Sequence, residues 1–183
     1  MPNFIPLSEA TRVLATAERL LVVGCSGGGK STLSVKLSAK FNLDYLSIDR
    51  DVRWLPGWVV RDNELQRRIF QELVQQERWV MDGTSPSSFD IRLPRSDLVI
   101  WVRVPRRVAL AGLARRVFKY FGKTRPEMAD GCPEPIPDRE FLSYIWFFDK
   151  REAPKVVSQL DKFGPQVPVV VLRSRREFDR LLA

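Results

Sequence analysis

The stretch that decides the fold is Gly24-Cys25-Ser26-Gly27-Gly28-Gly29-Lys30-Ser31, which matches the pattern G-x-x-x-x-G-K-S in full. The apolar run 20–23 precedes it and is typical of a buried strand. Residues 32–41 follow and predict a helix, because one of their faces carries Leu33, Leu37 and Phe41. The octapeptide therefore joins a strand to the N-terminus of a helix, which is the setting in which such a loop binds phosphate groups.

Each residue type in this loop has a physical reason to be there. Glycines let the backbone approach a polyphosphate, and the unpaired N–H groups of the first helical turn favour an anion. We predict that Lys30 reaches the β- and γ-phosphates of a nucleotide and that the Ser31 hydroxyl ligates Mg²⁺. A glycine-rich turn that binds nothing is the alternative. The predicted nucleotide contacts are Gly24, Cys25, Ser26, Gly27, Gly28, Gly29, Lys30, Ser31 and Thr32.

The composition indicates one soluble domain over residues 1–183. Of the 183 residues, 44% are hydrophobic and 28% are charged, as in ordinary globular proteins. No apolar run reaches the roughly twenty residues of a membrane span, and residues 1–6 lack the layout of a signal peptide. A cytoplasmic location without a membrane partner is therefore expected. Because histidine is absent, Ser-His-Asp and Cys-His catalysis are excluded.

The cysteines and the net charge limit the kinds of site. Cys25 and Cys132 are too few for a disulfide framework or a four-cysteine zinc site. Cys25 is interpreted as a small loop residue, with a lowered thiol pKa near the helix N-terminus as the alternative. The net charge of +8 suits anionic partners, both nucleotides and nucleic acids. Basic residues come in pairs such as Arg115-Arg116, so no nucleic-acid-binding stripe is indicated.

Strand and helix patterns alternate along the chain. Further strands are predicted at 43–48, 78–81, 97–102 and 167–172. Helices are predicted at 8–19, 62–77, 106–121, 139–160 and 174–182. This alternation predicts an α/β fold whose parallel sheet is covered by helices on both faces.

Carboxylates follow two of the predicted strands. Asp49 comes after 43–48 and Asp82 after 78–81, at the strand ends where open α/β sheets bind ligands. Asp82 is a candidate to hold Mg²⁺ through water, and Asp49 is a candidate substrate contact. Trp54 and Trp58 flank a Pro-Gly turn, where their rings either stack on a base, anchor a flap or pack their own loop.

Two segments have no helical or strand period. Residues 84–94 form a predicted loop that carries Arg92. Residues 122–138 contain four prolines and predict an ordered loop or lid that carries Arg125.

These residues together resemble the small P-loop kinases of the adenylate and nucleoside monophosphate kinase type, and most closely the group called DNA topology modulation protein. The resemblance rests on Asp49, Pro56-Gly57-Trp58, residues 79–83, residues 124–128 and residues 131–134, in that order, and it covers nearly the whole chain. The sequence departs from the group at Asp82-Gly83-Thr84-Ser85, where Asp-Gly-Asn-Tyr is common. It also has Ser47-Ile48-Asp49 where adenylate kinases place a Gly-Asp pair.

The resemblance implies a three-layer P-loop NTPase fold with a five-stranded parallel sheet and a short lid at about 122–138. It implies ATP at the loop and Mg²⁺ held by Ser31 and Asp82. An acceptor pocket is implied between residues 49–58 and Arg92, with Asp49, Trp54, Trp58 and Arg92 as substrate contacts. The implied catalytic residues are Lys30, Arg116, Arg125 and Asp49.

The implied activity is transfer of the γ-phosphoryl group from Mg·ATP to a nucleoside monophosphate or another small acceptor. Asp49 would deprotonate an alcohol acceptor but would only bind a phosphate acceptor, which is already ionised. The alternatives are an ATP-dependent regulatory NTPase associated with DNA, supported by net charge, and an ATP-binding protein with negligible turnover.

Overall fold

The centre of the molecule is a parallel sheet of six strands. The computed structural model describes residues 1–183. Its strands are β1 (Asn3–Phe4), β2 (Arg19–Gly24), β3 (Asp44–Ser47), β4 (Trp54–Leu55), β5 (Val59–Val60), β6 (Trp79–Asp82), β7 (Leu98–Val102) and β8 (Pro168–Leu172). The sheet order is β1-β8-β7-β2-β6-β3, and β4 and β5 form a separate antiparallel hairpin.

The predicted number of five strands is wrong, because β1 is a sixth strand at the sheet edge. Phe4 pairs with Val169 of β8 in parallel register. Two residues are too short a run to show the alternation by which a strand is recognised in a sequence.

The helices are α1 (Leu7–Leu14), α2 (Lys30–Phe41), α3 (Asn63–Leu73), α4 (Phe89–Arg92), α5 (Arg106–Tyr120), α6 (Arg139–Arg151), α7 (Ala153–Phe163) and α8 (Arg175–Leu182). A π-helix covers Ile48–Arg53, and 3₁₀ turns cover Pro86–Ser88 and Leu93–Arg95. The single helix predicted over 139–160 is two helices that meet at Glu152. Pro154 lies in the first turn of α7, where its missing N–H group costs nothing, but it cannot continue α6.

Two apolar clusters cover the two faces of the sheet. Leu20 and Val22 of β2 belong to one cluster, with side chains of α1, α2, α5, α6 and α8. Leu21 and Val23 belong to the other, with side chains of α3, α4 and α7. Alternate residues of one strand thus point to opposite helical layers, which confirms the predicted α/β fold with helices on both faces.

None of these helices combines the length and the apolar character that crossing a lipid bilayer requires.

Candidate active site

The predicted phosphate-binding loop lies between β2 and α2, in the strand–loop–helix setting expected from the sequence. Gly27 and Gly29 have φ angles of 74° and 95°, which glycine adopts without strain. α2 starts at Lys30, so its first N–H groups have no partner within the helix and are available to an anion. The Lys30 Nζ donates to the Cys25 carbonyl oxygen over 3.0 Å, which folds the side chain back across the loop.

Helix α5 lies in backbone contact with this loop. A Cβ atom added at Gly112 would stand 2.1 Å from the Gly27 carbonyl oxygen, and one added at Gly27 would stand 2.1 Å from the Ala109 carbonyl oxygen. No side chain fits in this space. The close approach brings Arg115 and Arg116 beside the loop, and an isolated glycine inside a helical pattern is the sequence signal for it.

A cavity of about 290 Å³ opens above the loop, at the edge of the sheet where the strands end. It runs from Asp49, which follows β3, to Arg175, which follows β8. It brings together the predicted site residues Ser26, Gly27, Gly29, Lys30, Ser31, Thr32, Asp49, Asp82, Arg116 and Arg125. The lining residues that no motif predicted are Gly83, Gly112, Arg115, Lys119, Tyr120, Glu127 and Arg175.

Asp82 forms part of the cavity floor and is only 6% exposed. Its Oδ2 accepts a hydrogen bond from the Tyr45 hydroxyl over 3.2 Å, while its Oδ1 is buried without a partner. Burial raises the pKa of the Asp82 carboxyl, and the nearby Lys30 ammonium opposes that shift. A carboxylate oxygen is thus left over at the floor, close to the Ser31 hydroxyl and the Lys30 ammonium.

Thr84 closes the gap between the ends of β6 and β2. Its Oγ1 accepts from the Gly24 N–H over 2.9 Å and donates to the Gly24 carbonyl oxygen over 2.8 Å. The departure from Asp-Gly-Asn-Tyr noted in the sequence therefore places a hydroxyl that holds the start of the phosphate loop.

Asp49 is exposed and lies in the π-helix directly after β3. Two side chains fix this wide turn: the Ser47 Oγ accepts from the Arg50 N–H, and the Asp51 carboxylate accepts from the Ser47 N–H over 2.8 Å. Asp49 itself forms no ion pair or side-chain hydrogen bond within the chain, so its carboxylate is free to meet a ligand in the cavity.

Glu134 of the lid links the two cavity arginines. Its carboxylate lies 2.8 Å from the Arg116 Nε and 2.7 Å from the Arg125 Nε, and the Glu134 side chain is only 2% exposed. Arg116 also donates to the Ser26 Oγ in the phosphate loop over 3.0 Å. Burial lowers the pKa of Arg116 and the neighbouring Arg125 lowers it further, while Glu134 opposes both effects. Glu134 is not a lining residue, so it holds the arginines from behind.

The two predicted tryptophans pack on the lid and do not line the cavity. The Trp54 and Trp58 rings meet edge to face with centroids 5.2 Å apart. The Trp58 Nε1 donates to the Pro133 carbonyl oxygen over 3.1 Å. Both rings pack against the buried lid residues Met128, Ala129 and Cys132. The structure thus supports the interpretation in which they anchor a flap, and it does not show them as substrate contacts.

Two further hydrogen bonds connect the lid to neighbouring segments. The Gly57 N–H donates to the Gly131 carbonyl oxygen over 2.9 Å. The Ser47 Oγ donates to the Glu127 carbonyl oxygen over 2.7 Å. The lid is therefore fastened to the end of β3 and to the β4–β5 hairpin.

Arg92 does not line the cavity, so the structure contradicts the predicted substrate contact. Its side chain is 0% exposed and packs against the Phe70 and Phe89 rings. The guanidinium donates to the Ser88 hydroxyl and to the carbonyl oxygens of Gly83, Thr84 and Ser85. All its donor edges face protein atoms, which makes Arg92 the support of the loop that follows β6.

Cys25 is buried, and burial raises the pKa of its thiol to about 11. A thiol with this pKa stays protonated at neutral pH, so the alternative of a lowered pKa is wrong. Desolvation outweighs the Lys30 charge, which acts in the opposite direction.

Comparison with known proteins shows the fold. No family model matches the chain. The chain is 26% identical over 130 residues to the uncharacterized protein YqaC of Bacillus subtilis (strain 168), a span of 70% of this chain and 71% of that protein.

Solved structures are similar over nearly the whole chain. Shikimate kinase from Bacteroides thetaiotaomicron has a TM-score of 0.56 at 16% identity, covering 91% of this chain and 95% of that chain. Shikimate kinase from Acinetobacter baumannii, in complex with shikimate, has a TM-score of 0.53 at 13% identity, covering 93% and 92%. A sugar kinase from Janibacter sp. HTCC2649 has a TM-score of 0.51 at 13% identity, covering 90% of each chain. The chain therefore has the α/β fold of the P-loop kinases.

Proposed function

We propose that this protein is a Mg·ATP-dependent phosphotransferase that transfers the γ-phosphoryl group to a small-molecule acceptor. The observation that carries the proposal is one cavity that three cations line, Lys30 from the phosphate loop, Arg116 from α5 and Arg125 from the lid, together with the unpartnered Asp82 carboxylate. Phosphoryl transfer requires positioning and charge stabilisation far more than covalent chemistry. This arrangement supplies both.

The positions of the cations indicate different roles in nucleotide binding and charge stabilisation. Lys30 lies in the phosphate loop, where its ammonium would leave the Cys25 carbonyl oxygen for the phosphates of ATP. Arg116 and Arg125 line the cavity, where they would stabilise the charge that develops on the transferred group. Arg115, Lys119 and Arg175 add positive charge to the cavity wall.

The residues at the floor fit a magnesium ion that is bound together with a nucleotide. The Ser31 hydroxyl and the Asp82 carboxylate are oxygen ligands of the kind that Mg²⁺ takes. No group of three or more carboxylate, cysteine or histidine side chains could hold a metal alone, so phosphate oxygens and water would complete the shell. When bound, the ion would neutralise charge on the phosphates.

The structural neighbours are, by their names, kinases of small molecules: shikimate and a sugar. A small-molecule acceptor is therefore preferred to a DNA-associated regulatory function. The net charge of +8 is the single feature behind the DNA alternative, and several of the basic residues line the cavity.

The test is ADP release by the purified protein with Mg·ATP, measured against a panel of nucleoside monophosphates, nucleosides, sugars and hydroxy acids. We expect one acceptor class to raise the rate well above basal hydrolysis, and Lys30→Ala to abolish the increase. If ATP binds while no acceptor raises the rate, the proposal fails.

A further inference from the structure

We infer that the acceptor is a small non-aromatic compound that receives the phosphoryl group on a hydroxyl oxygen, and that it binds at the β3 end of the cavity. The inference rests on the proposed phosphotransferase function and decides between the alcohol and the phosphate acceptor. Three features of the structure support it: the direction of the cavity, the charges at its β3 end, and the positions of the aromatic rings.

The cavity runs across the ends of the strands, from β3 on one side to β8 on the other. The phosphate loop follows β2, in the middle of the sheet, so the γ-phosphate of a bound nucleotide would lie near the middle of the cavity. Asp49 and Gly83 follow β3 and β6 on one side, and Arg175 follows β8 on the other. Glu127 belongs to the β3 side, because its backbone is hydrogen-bonded to Ser47 at the end of β3. The β3 end is thus formed by Asp49, Gly83 and Glu127.

The side chains that line this end are anionic. Asp49 and Glu127 both face the cavity, and neither forms an ion pair within the chain. Carboxylates accept hydrogen bonds from hydroxyl groups and repel a phosphate dianion. A second phosphate group would need cations with free donors at this end.

The arginines near the β3 end have no such donors in the cavity. Arg50 is paired with Asp51 at 2.7 Å, and the Arg61 Nε donates to the Val52 carbonyl oxygen over 2.8 Å. Arg92 is fully engaged below the loop after β6, and Arg53 lies outside the cavity over the Trp54 ring. Arg116 and Arg125 remain, and the γ-phosphoryl group requires both of them.

The aromatic rings also argue against a nucleobase. A base in a pocket is commonly stacked on an aromatic ring, and Trp54 and Trp58 use their faces and edges on each other and on the lid. Tyr120 of α5 is the one aromatic residue that lines the cavity, and it follows Lys119 on the helix that also carries Arg115. None comes from the segments after β3 and β6.

The hydroxyl oxygen of the acceptor forms a bond to Pγ while Asp49 takes the hydroxyl proton. The bond from Pγ to the β–γ bridging oxygen breaks, and ADP leaves with that electron pair. Glu127 accepts a hydrogen bond from a further hydroxyl group of the acceptor and so favours a compound with several hydroxyls.

The experiment compares sugars, polyols and hydroxy acids with nucleosides and nucleoside monophosphates in the ADP-release assay. We expect a polyhydroxylated non-aromatic compound to raise the rate at least about tenfold. Asp49→Asn should then lower kcat by about 10²-fold or more and leave ATP binding unchanged. The matched control is Asp44→Asn, which changes an exposed carboxylate at the start of β3 that lies outside the cavity, and it should leave kcat unchanged.

The outcomes separate the inference from the proposed function. If a nucleoside monophosphate raises the rate and the hydroxyl compounds do not, the inference is overturned and the phosphotransferase function stands. If a hydroxyl compound is phosphorylated equally well by Asp49→Asn, the role of Asp49 is overturned. If nothing raises the rate although ATP binds, the proposed function itself fails, and the acceptor assignment fails with it.

Discussion

Helix α4 and the lid each contain a largely buried arginine, and the two arginines have opposite roles. All three guanidinium nitrogens of Arg92, at the end of α4, donate to protein acceptors within ten residues of it. Arg125 in the lid lines the cavity and makes a single ion pair, through its Nε to Glu134, while its terminal nitrogens donate no hydrogen bond within the chain. Residue type is the same for both, and both are largely buried. An arginine whose donors are all bonded to protein supports the fold, whereas one with unused donors is available to a ligand.

The largest effect that this comparison predicts is on stability. Arg92→Met keeps an apolar side chain between Phe70 and Phe89 but leaves the carbonyl oxygens of Gly83 and Thr84 without a donor. Each unpaired buried acceptor costs about 1–3 kcal/mol, so we expect the free energy of unfolding to fall by about 4 kcal/mol. Urea unfolding measures this loss. A variant of normal stability with a large loss of acceptor-dependent rate would return Arg92 to the substrate site and break the comparison.

The second effect is on catalysis. Arg125→Ala removes a donor to the transferred phosphoryl group, so kcat should fall by about 10²–10³-fold, equivalent to about 2.7–4 kcal/mol. Lys123→Ala is the matched control, because Lys123 is an exposed lid cation that does not line the cavity. Equal kinetics for both variants would show that the free donors of Arg125 are idle.

A smaller effect on kcat is expected from Glu134, which pairs with Arg116 and Arg125. Glu134→Gln keeps the shape of the side chain but removes the charge that offsets the repulsion between Arg116 and Arg125. We expect kcat to fall about tenfold, which is about 1.4 kcal/mol, while the KM for ATP changes less. Steady-state kinetics and thermal unfolding measured together separate the two roles. A lower Tm with unchanged kcat would make Glu134 a structural residue alone.

The smallest effect is on stability and concerns Asp82, a buried carboxylate with one unpaired oxygen. Asp82 has an oxygen left over, and its pKa is raised in the folded protein, which therefore holds a proton more tightly than the unfolded chain does. The free energy of unfolding thus falls as the pH rises from the ordinary pKa of aspartate to the raised one. Asn does not ionise, so Asp82→Asn should stabilise the metal-free protein above that window by about 1 kcal/mol.

Below that pH window the stability difference between Asp82→Asn and the unmodified protein should vanish, and Mg·ATP turnover should be lost at every pH. Urea unfolding at two pH values, without metal, checks the stability prediction. Equal stability of both proteins at all pH values would show that the buried oxygen costs nothing.

The phosphate loop, its strand and its helix could be predicted because a motif, an apolar run and a helical period coincide within residues 20–41. The α/β layering could be predicted from the alternation of elements for the same reason. β1 could not, since two residues carry no period. The break between α6 and α7 was obscured because both halves are amphipathic and Pro154 stands one residue inside the second helix.

The site residues that belong to a sequence motif could be predicted. The roles of residues that depend on contacts with backbone atoms could not. The acceptors around Arg92 are mostly carbonyl oxygens, which every residue has, so no pattern of side chains marks that arginine as structural. The pairing of Arg116 with Glu134 joins a helix to a lid without periodicity. Arg175 and Glu127 reach the cavity through strand order and lid position, which the sequence does not state.

Because Trp54 and Trp58 pack on the lid, the intrinsic tryptophan fluorescence of the chain can report lid movement. Trp79 and Trp101 are buried in the core, so their emission is a constant background. Trp54 and Trp58 are half-buried against the lid and respond to water as soon as the hairpin and the lid separate. Closure of the lid over a ligand should therefore shift the emission maximum of the unlabelled protein.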